Sequence, residues 1–316
     1  MLKVVFCGTP DIAVPTLMTL NANPNVEIVQ VVSQPDRPSG RGNKLKSPEV
    51  IECAKKLELP FFQCTNLNKE ADFLTSLEAL KPDIFIVFAF AQFLGKRVLS
   101  LPKLGCFNIH TSLLPRHRGA APIHYGIWCG DKIGGVSIQR MVKEMDAGDI
   151  CVASSLDIHV DETTPSLYER LKILAPDCTE QLISDILGNT LTFTKQDSAQ
   201  ITFAPTIKKE EGYLNPSFHS ALEAERMVRA FQPWPGVQIL FNDKRCKLLE
   251  VAISHSTVPV GQLKVVSDEL LLGCRDGTLK LLQFQLEGKK PTQASSWING
   301  TQGSLPTVSI ISGATS

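Results

Sequence analysis

The sequence has 316 residues, of which 43% are hydrophobic and 20% charged, and its 32 Lys and Arg balance its 32 Asp and Glu. This composition is typical of a globular protein and argues against disorder, and the zero net charge argues against a uniformly basic nucleic-acid binder. The length predicts about two domains of roughly 150 residues each, and both are large enough to bury a core.

Strand and helix patterns alternate along the first half of the chain. Apolar and amphipathic segments predict strands at 2–6, 26–32, 84–90 and 106–110, and helices at 12–20, 50–57 and 71–80. The segment 84–90 is continuously apolar, as expected of a strand that is buried on both faces. Because strands alternate with helices, we expect an α/β fold with a doubly wound, Rossmann-like, mostly parallel sheet.

A longer helix and a linker are predicted next. Thr164 and Pro165 are typical of a helix start, and the apolar pattern continues to Gly188. We expect Pro176 to kink or interrupt this helix, because proline lacks the backbone N–H. Residues 190–207 are polar and rich in turn formers, which indicates a linker.

The last third of the chain has a different character. Ser220 and Glu223 have the spacing of a capping box near the start of a helix at about 218–231. Short apolar segments flank Asn242-Asp243 and Asp276-Gly277, which predicts hairpins. We therefore predict a catalytic domain at 1–189, a linker at 190–207, and a small C-terminal β-barrel of the oligonucleotide-binding (OB-like) type at 208–316.

The cellular compartment is indicated by the cysteines and the apolar runs. The longest apolar run, 84–91, is far shorter than the ~20 residues of a transmembrane helix, and the N-terminus has no signal-peptide pattern. The nine cysteines include no Cys-x-x-Cys pair, which is typical of a reducing compartment and provides no zinc motif. We expect a cytoplasmic protein with no membrane partner and no metal.

The first turn after a strand argues against a dinucleotide enzyme. It contains one glycine, Gly8, followed by Pro10, whereas a pyrophosphate site needs Gly-x-Gly-x-x-Gly. Asp36 follows the second strand, where a dinucleotide enzyme has an acidic residue, but it lies in a turn. The sequence also contains no Walker A motif. In such folds the ligand still binds at the carboxyl ends of the strands, so the candidate site is expected there.

Asn108 and His110 lie at one such strand end. Residues two apart on a strand point to the same face. An asparagine amide can stabilise a developing oxyanion, and a histidine can act as a general base. The pair by itself is weak evidence, because a histidine at a strand end is more often only hydrogen-bonded.

Two longer motifs contain this pair or follow it. From Asn108 the chain reads Asn-Ile-His-Thr-Ser-Leu-Leu-Pro, with Arg118-Gly119 and Pro122 beyond, and residues 145–149 read Met-Asp-Ala-Gly-Asp. These segments resemble the two signature motifs of the folate-dependent formyltransferase family. The resemblance implies a catalytic set of Asn108, His110 and Asp146; spacing alone could not have selected Asp146.

The resemblance also implies a co-substrate, 10-formyltetrahydrofolate, with no metal and no nucleotide cofactor. Asn108 and a protonated His110 would donate to the formyl oxygen, and Asp146 would hold the imidazole, raise its pKa and help to remove the proton of the attacking amine. The reduced folate is expected against two segments, with the residues Phe88, Ala89, Phe90, Gln92, Ser112, Leu113, Leu114 and Pro115.

A basic loop suggests the second substrate. Residues 35–46 include Arg37, Arg41, Lys44 and Lys46 against Asp36, a local net charge of +3. Such a loop would bind phosphates in a salt-dependent way, although it could also be a solvated surface loop. The loop resembles that of the tRNA-formylating members of the family, which implies methionyl-initiator tRNA as the acceptor. The second domain would hold the acceptor arm, and we expect a monomer.

Other functions stay open at this point. A formyltransferase acting on an amino-sugar nucleotide or another small amine, or a folate hydrolase domain, would share the catalytic motifs, but the basic loop favours a tRNA acceptor. A catalytically dead RNA-binding module would keep the loop and lose the Asn, His and Asp set, which is intact here. The missing glycines contradict a dinucleotide dehydrogenase.

Overall fold

A computed structural model describes residues 1–39, 44–300 and 305–311. Its helices, in chain order, are α1 (Val14–Ala22), α2 (Glu49–Lys56), α3 (Ala71–Ala79), α4 (Lys96–Leu99), α5 (Pro122–Trp128), α6 (Thr164–Gly188), α7 (Ala221–Ala230) and α8 (Ala294–Gly300). Its strands are β1 (Leu2–Gly8), β2 (Val26–Ser33), β3 (Arg37–Ser39), β4 (Lys44–Lys46), β5 (Phe61–Gln63), β6 (Ile84–Phe88), β7 (Gly105–His110), β8 (Ile133–Arg140), β9 (Ile150–Asp157), β10 (Val237–Phe241), β11 (Lys244–Ser254), β12 (Leu263–Val266), β13 (Glu269–Gly273), β14 (Thr278–Leu286), β15 (Thr292–Gln293) and β16 (Val308–Ser309).

The chain divides into two compact units. The first unit comprises residues 1–122, 133–157 and 168–204, and the second comprises 123–132, 158–167 and 205–316. Within the first unit, Thr194 and Ile150 exchange two backbone hydrogen bonds of 2.8 and 2.9 Å. The domain boundaries drawn from the sequence, at 1–189 and 208–316 with a linker at 190–207, stay a prediction.

The first unit contains a seven-stranded sheet in the order β5-β2-β1-β6-β7-β8-β9. The pairs from β5 to β7 are parallel, and β7-β8 and β8-β9 are antiparallel. All five residues of β6 are buried, in agreement with the continuous apolar pattern. The predicted mostly parallel α/β sheet is confirmed, whereas β8 and β9 were not predicted.

The second unit contains an antiparallel sheet in the order β12-β13-β14-β11-β10-β16, with β15 beside β14. Asn242 and Asp243, which join β10 to β11, both have positive φ, as the predicted tight hairpin requires. The Ser220 hydroxyl accepts from the Glu223 N–H, and the Glu223 carboxylate accepts from the Ser220 N–H, so the predicted capping box begins α7. The predicted antiparallel β-domain after the α/β domain is confirmed.

Helix α6 differs from its prediction at Pro176. The helix continues from Thr164 to Gly188 with Pro176 inside it, so the proline does not interrupt it. Buried apolar residues on both sides of Pro176, including Leu171 and Leu182, anchor the helix. This packing offsets the backbone hydrogen bond that a proline cannot donate. Across the three described ranges, every helix is too short or too polar to cross a membrane.

Candidate active site

Asn108, His110 and Asp146 come together at the carboxyl end of β7, within the first unit. Strand β8 pairs antiparallel with β7, and the connection from β8 to β9 places Asp146 beside the two β7 residues. The Asn108 Nδ2 donates to Asp146 Oδ1 at 3.3 Å, and His110 Nδ1 lies 3.7 Å from Asp146 Oδ2. The structure therefore brings together the three residues that the motifs selected.

The carboxylate of Asp146 has two further donors. Gln139 Nε2 donates to Oδ1 at 2.8 Å, and the Gly119 N–H donates to Oδ2 at 2.9 Å. Asp146 has a φ of 50°, in the left-handed region that side chains rarely adopt. Its carboxylate is therefore fixed in a strained turn by neutral donors from two directions, and it faces His110 across the remaining gap.

His110 is buried, with a relative exposure of 5%. Its Nε2 lies 2.8 Å from the His117 carbonyl oxygen, which can only accept, so Nε2 carries a hydrogen. In the neutral ring, Nδ1 then has the lone pair on the side of Asp146. This position can accept a proton.

The pKa of His110 is lowered from the ordinary value for histidine. Burial is the largest cause, since it disfavours the charged ring. The charge of Asp146 and the hydrogen bond to His117 oppose this effect, and the charge of His117 adds to it. Asp146 does raise the pKa of His110, as the sequence-based expectation has it, but burial lowers the pKa more, so the net shift is downward.

The turn that contains Asp146 leaves no space for a side chain at Gly148. A Cβ at that position would lie 1.7 Å from the Arg140 carbonyl oxygen. The Gly148 N–H also donates to Gln139 Oε1 at 3.0 Å. The glycine of the second motif is thus required by a close backbone approach.

Three residues around this turn had no role in the prediction: Gln139, Gln196 and Arg118. Gln139 pairs in register with Asn108 across β7 and β8, but β8 itself was not predicted. Gln196 donates to the carbonyl oxygens of Asp146 and Gly148, yet it lies in the segment that was predicted as a linker. Arg118 was noted only as part of a motif. No spacing signal in the sequence connects Gln196 to this turn.

The first predicted folate segment follows β6. Phe88 and Phe90 are buried, whereas Ala89 and Ala91 are exposed and both have positive φ. The amide of Gln92 accepts from the Leu67 N–H and donates to the Cys64 carbonyl, so it positions backbone. The two exposed alanines offer a small, strained surface at the sheet edge.

The second predicted folate segment follows β7 and is fixed by Ser137. Its hydroxyl accepts from the Leu114 N–H at 3.0 Å and donates to the Ser112 carbonyl at 2.8 Å. Ser112 and Leu114 are buried, and Leu113 and Pro115 are partly exposed. Since β6 and β7 are adjacent and parallel, both segments leave the same edge of the sheet. Small and apolar surfaces at one edge fit a flat heterocycle.

The basic loop forms a short hairpin in its described part. Strands β3 and β4 pair Arg37 with Lys46 and place Lys44 at an exposed position. Arg37 donates to the Gln34 side chain at 3.2 Å, and Lys46 forms an ion pair of 2.6 Å with Glu49. Arg41, predicted for the same role, lies outside the described residues.

The carboxyl edge of the mostly parallel sheet thus carries a buried His110 between a partly buried Asn108 and a partly buried Asp146, a set suited to a group-transfer enzyme. The chain belongs to the formyl transferase family: the model of the formyl transferase domain matches residues 2–182, and that of the formyl transferase C-terminal domain matches residues 206–302. The resemblance drawn from the two motifs is thereby confirmed.

Curated relatives match over almost the entire chain. A methionyl-tRNA formyltransferase of Geobacter metallireducens is 36% identical over 300 residues, which cover 95% of this chain and 96% of the relative. A methionyl-tRNA formyltransferase of Pseudoalteromonas translucida is 38% identical over 304 residues, which cover 95% and 94%.

Solved structures share the fold at lower identity. The N-formyltransferase of Helicobacter canadensis, in complex with folinic acid and dTDP-3-aminofucose, has a TM-score of 0.67 and 18% identity, over 89% of this chain and 99% of that chain. A sugar 3N-formyl transferase solved with dTDP and 5-N-formyl-THF also has a TM-score of 0.67, over 92% of this chain and 99% of that chain.

Proposed function

We propose that this chain transfers the formyl group of 10-formyltetrahydrofolate to the free amino group of methionyl-initiator tRNA. The product is N-formylmethionyl-tRNA, which is used for translation initiation. The observation that carries the proposal is the Asn108, His110 and Asp146 cluster within a chain that methionyl-tRNA formyltransferases match over 95% of its length. The two related structures were solved with folate derivatives, which supports the proposed co-substrate.

The transfer needs a donor to the formyl oxygen and an acceptor for one proton. The co-substrate supplies an activated, amide-like formyl carbon. Asn108 has two amide hydrogens; one points to Asp146 Oδ1, and the other stabilises the negative charge that develops on the formyl oxygen. As the bond from the methionyl amine to the formyl carbon forms, His110 accepts the amine proton at Nδ1.

Asp146 then stabilises the protonated imidazole by its charge across the 3.7 Å gap. His110 returns the proton to the folate nitrogen as its bond to the formyl carbon breaks. The lowered pKa of His110 favours a neutral ring before the reaction, so this scheme replaces the protonated His110 that the motifs suggested. No covalent bond to the protein forms.

The acceptor is bound by the basic hairpin and the second unit. Arg37, Arg41, Lys44 and Lys46 contact phosphates near the acceptor end of the tRNA, and the second unit holds the acceptor arm. The exposed Lys44 and the two-stranded β3-β4 frame support this role. The protein acts as a monomer in the cytoplasm. Its nine cysteines form no disulfide, which agrees with a reducing compartment.

An acceptor comparison tests the proposal. Purified protein is incubated with 10-formyltetrahydrofolate and, separately, with methionyl-initiator tRNA, methionyl-elongator tRNA and a dTDP-amino sugar. We expect formylation of the initiator tRNA at a higher kcat/KM than of either other acceptor. Turnover of the amino sugar without formylation of either tRNA would contradict the proposal.

A further inference from the structure

Gln196 bridges both ends of the turn that contains the catalytic Asp146. Its Nε2 lies 2.8 Å from the Asp146 carbonyl oxygen and 2.7 Å from the Gly148 carbonyl oxygen. The two amide hydrogens of Gln196 can therefore each donate to one of these carbonyls, which lie two residues apart in the turn. The side chain is partly buried and reaches this turn from a segment distant in sequence.

The turn needs such a contact because its conformation is unfavourable for aspartate. Asp146 has a φ of 50°, and the backbone passes so close to Arg140 that only glycine fits at position 148. This same conformation directs the Asp146 carboxylate to Asn108 and His110. A donor on the two carbonyls stabilises the turn without contact with the reacting atoms.

Arg118 determines which way the Gln196 amide faces. Its Nε and Nη2 both donate to Gln196 Oε1, at 3.0 and 2.8 Å. Since this oxygen faces a buried guanidinium, the amide nitrogen must face the turn. The Arg118 N–H also donates to the Thr202 carbonyl, and the Arg118 carbonyl accepts from the Ala204 N–H, so Arg118 fixes the segment that carries Gln196.

We propose that Gln196 is a positioning residue for formyl transfer, which holds the Asp146 turn so that the carboxylate faces His110. The role rests on the proposed function, because it presumes that Asp146 takes part in the transfer. Gln196 touches neither substrate in this scheme. It lowers the barrier only through the position of Asp146.

The first test replaces Gln196→Met, which keeps the length of the side chain and removes both amide hydrogens. The control is Gln200→Met in the same segment, since Gln200 is exposed and its side chain donates a hydrogen bond to Asp197, away from the catalytic turn. We expect Q196M to lower kcat by about tenfold to 100-fold, as for a misplaced catalytic group, with the KM for folate and for tRNA within about twofold. Q200M should leave all three constants at their wild-type values.

A substrate-free measurement separates this role from the proposed function. Asp146 raises the pKa of His110, and its displacement should shift the NMR titration of His110 to lower pH, toward that of D146N. His117 is the other titratable group that acts on the ring, and its charge lowers the pKa of His110. This shift is expected even if the chain formylates another acceptor.

The second variant, Gln196→Glu, keeps an oxygen for Arg118 and lacks the amide hydrogens, so it tests the donors if Q196M does not fold. We expect the same loss of kcat. The new carboxylate adds a charge beside the turn that opposes the shift, so the His110 titration is compared in Q196M alone. A folded Q196M with kcat or the His110 titration unchanged, or a folded Q196E with wild-type kcat, would overturn the proposal.

Discussion

Nδ1 of His110 lies 3.7 Å from Oδ2 of Asp146, while the opposite ring nitrogen donates to the His117 carbonyl oxygen. The gap is longer than a hydrogen bond, so Asp146 acts on the ring through its charge. The charge of Asp146 raises the pKa of His110, whereas burial lowers it and is the larger effect. The result is a neutral histidine beside a carboxylate, with a lone pair that can accept a proton.

The first prediction concerns the titration of His110. Its pKa should lie below the ordinary histidine value, because burial outweighs the charge of Asp146. The Cε1–H signal in a proton NMR titration measures this value, and the H110N variant assigns the signal among the six histidines. D146N should lower the pKa further. A His110 signal that titrates above the ordinary histidine value would contradict this account of the site.

Stability should depend on pH through three buried or partly buried histidines. Burial lowers the pKa of His110, His124 and His219, so the unfolded chain binds protons more readily than the folded chain as the pH falls below the ordinary histidine value. The free energy of unfolding should therefore decrease between about pH 7.5 and about pH 5.5. Urea denaturation at the two pH values measures this decrease.

His124 offers a control for that dependence. In H124L one of the three groups no longer titrates, so the decrease in the free energy of unfolding should be smaller than in the wild type. An equal decrease would show that His124 does not contribute. Unfolding free energies that increase toward the lower pH would contradict the sign of the whole effect.

Gly148→Ala should disrupt the catalytic turn. The added Cβ would lie 1.7 Å from the Arg140 carbonyl oxygen, so the backbone that carries Asp146 must shift. A misplaced carboxylate should lower kcat on the order of 100-fold, and the thermal midpoint should fall. The control is Gly188→Ala at the end of α6, where the nearest atom is 3.5 Å away. Wild-type kcat in G148A would refute the requirement for this glycine.

Lys44→Ala should weaken tRNA binding and leave the folate site intact. Lys44 is exposed on the β3-β4 hairpin, whereas Lys46 is paired with Glu49. We expect a higher KM for methionyl-tRNA and a shallower dependence of that KM on salt, since one phosphate contact is lost. The control is Lys103→Ala, an exposed lysine before β7. An equal rise in the KM for folate would indicate that the hairpin shapes the folate site instead.

The sequence predicted the part of the fold that depends on local patterns. The buried β6 and the parallel strands around it were readable, because continuous apolar runs and helical periods are local signals. Strands β8 and β9 were missed. Strand β8 contains two glycines, Gly134 and Gly135, and β9 alternates between exposed and partly buried residues, so neither has a strong apolar pattern.

The candidate site was predictable only where its residues form motifs. Asn108 and His110 are two residues apart on one strand, so their common face follows from geometry. Asp146 came from the family resemblance, and Gln196 from neither source, because contacts across a fold leave no mark in a single sequence. The direction of the His110 pKa shift could not be predicted from the sequence either, because the burial that lowers the pKa is known only from the folded chain.

The most direct test of the central claim is the single-turnover rate constant of formyl transfer to methionyl-initiator tRNA, measured for wild type, N108A, H110A and D146A with both substrates saturating. Each variant removes one member of the set that binds the formyl oxygen or moves the proton, so we predict rate constants lower by at least about 100-fold. Rate constants within a few-fold of wild type in all three variants would contradict the assignment of this cluster as the active site.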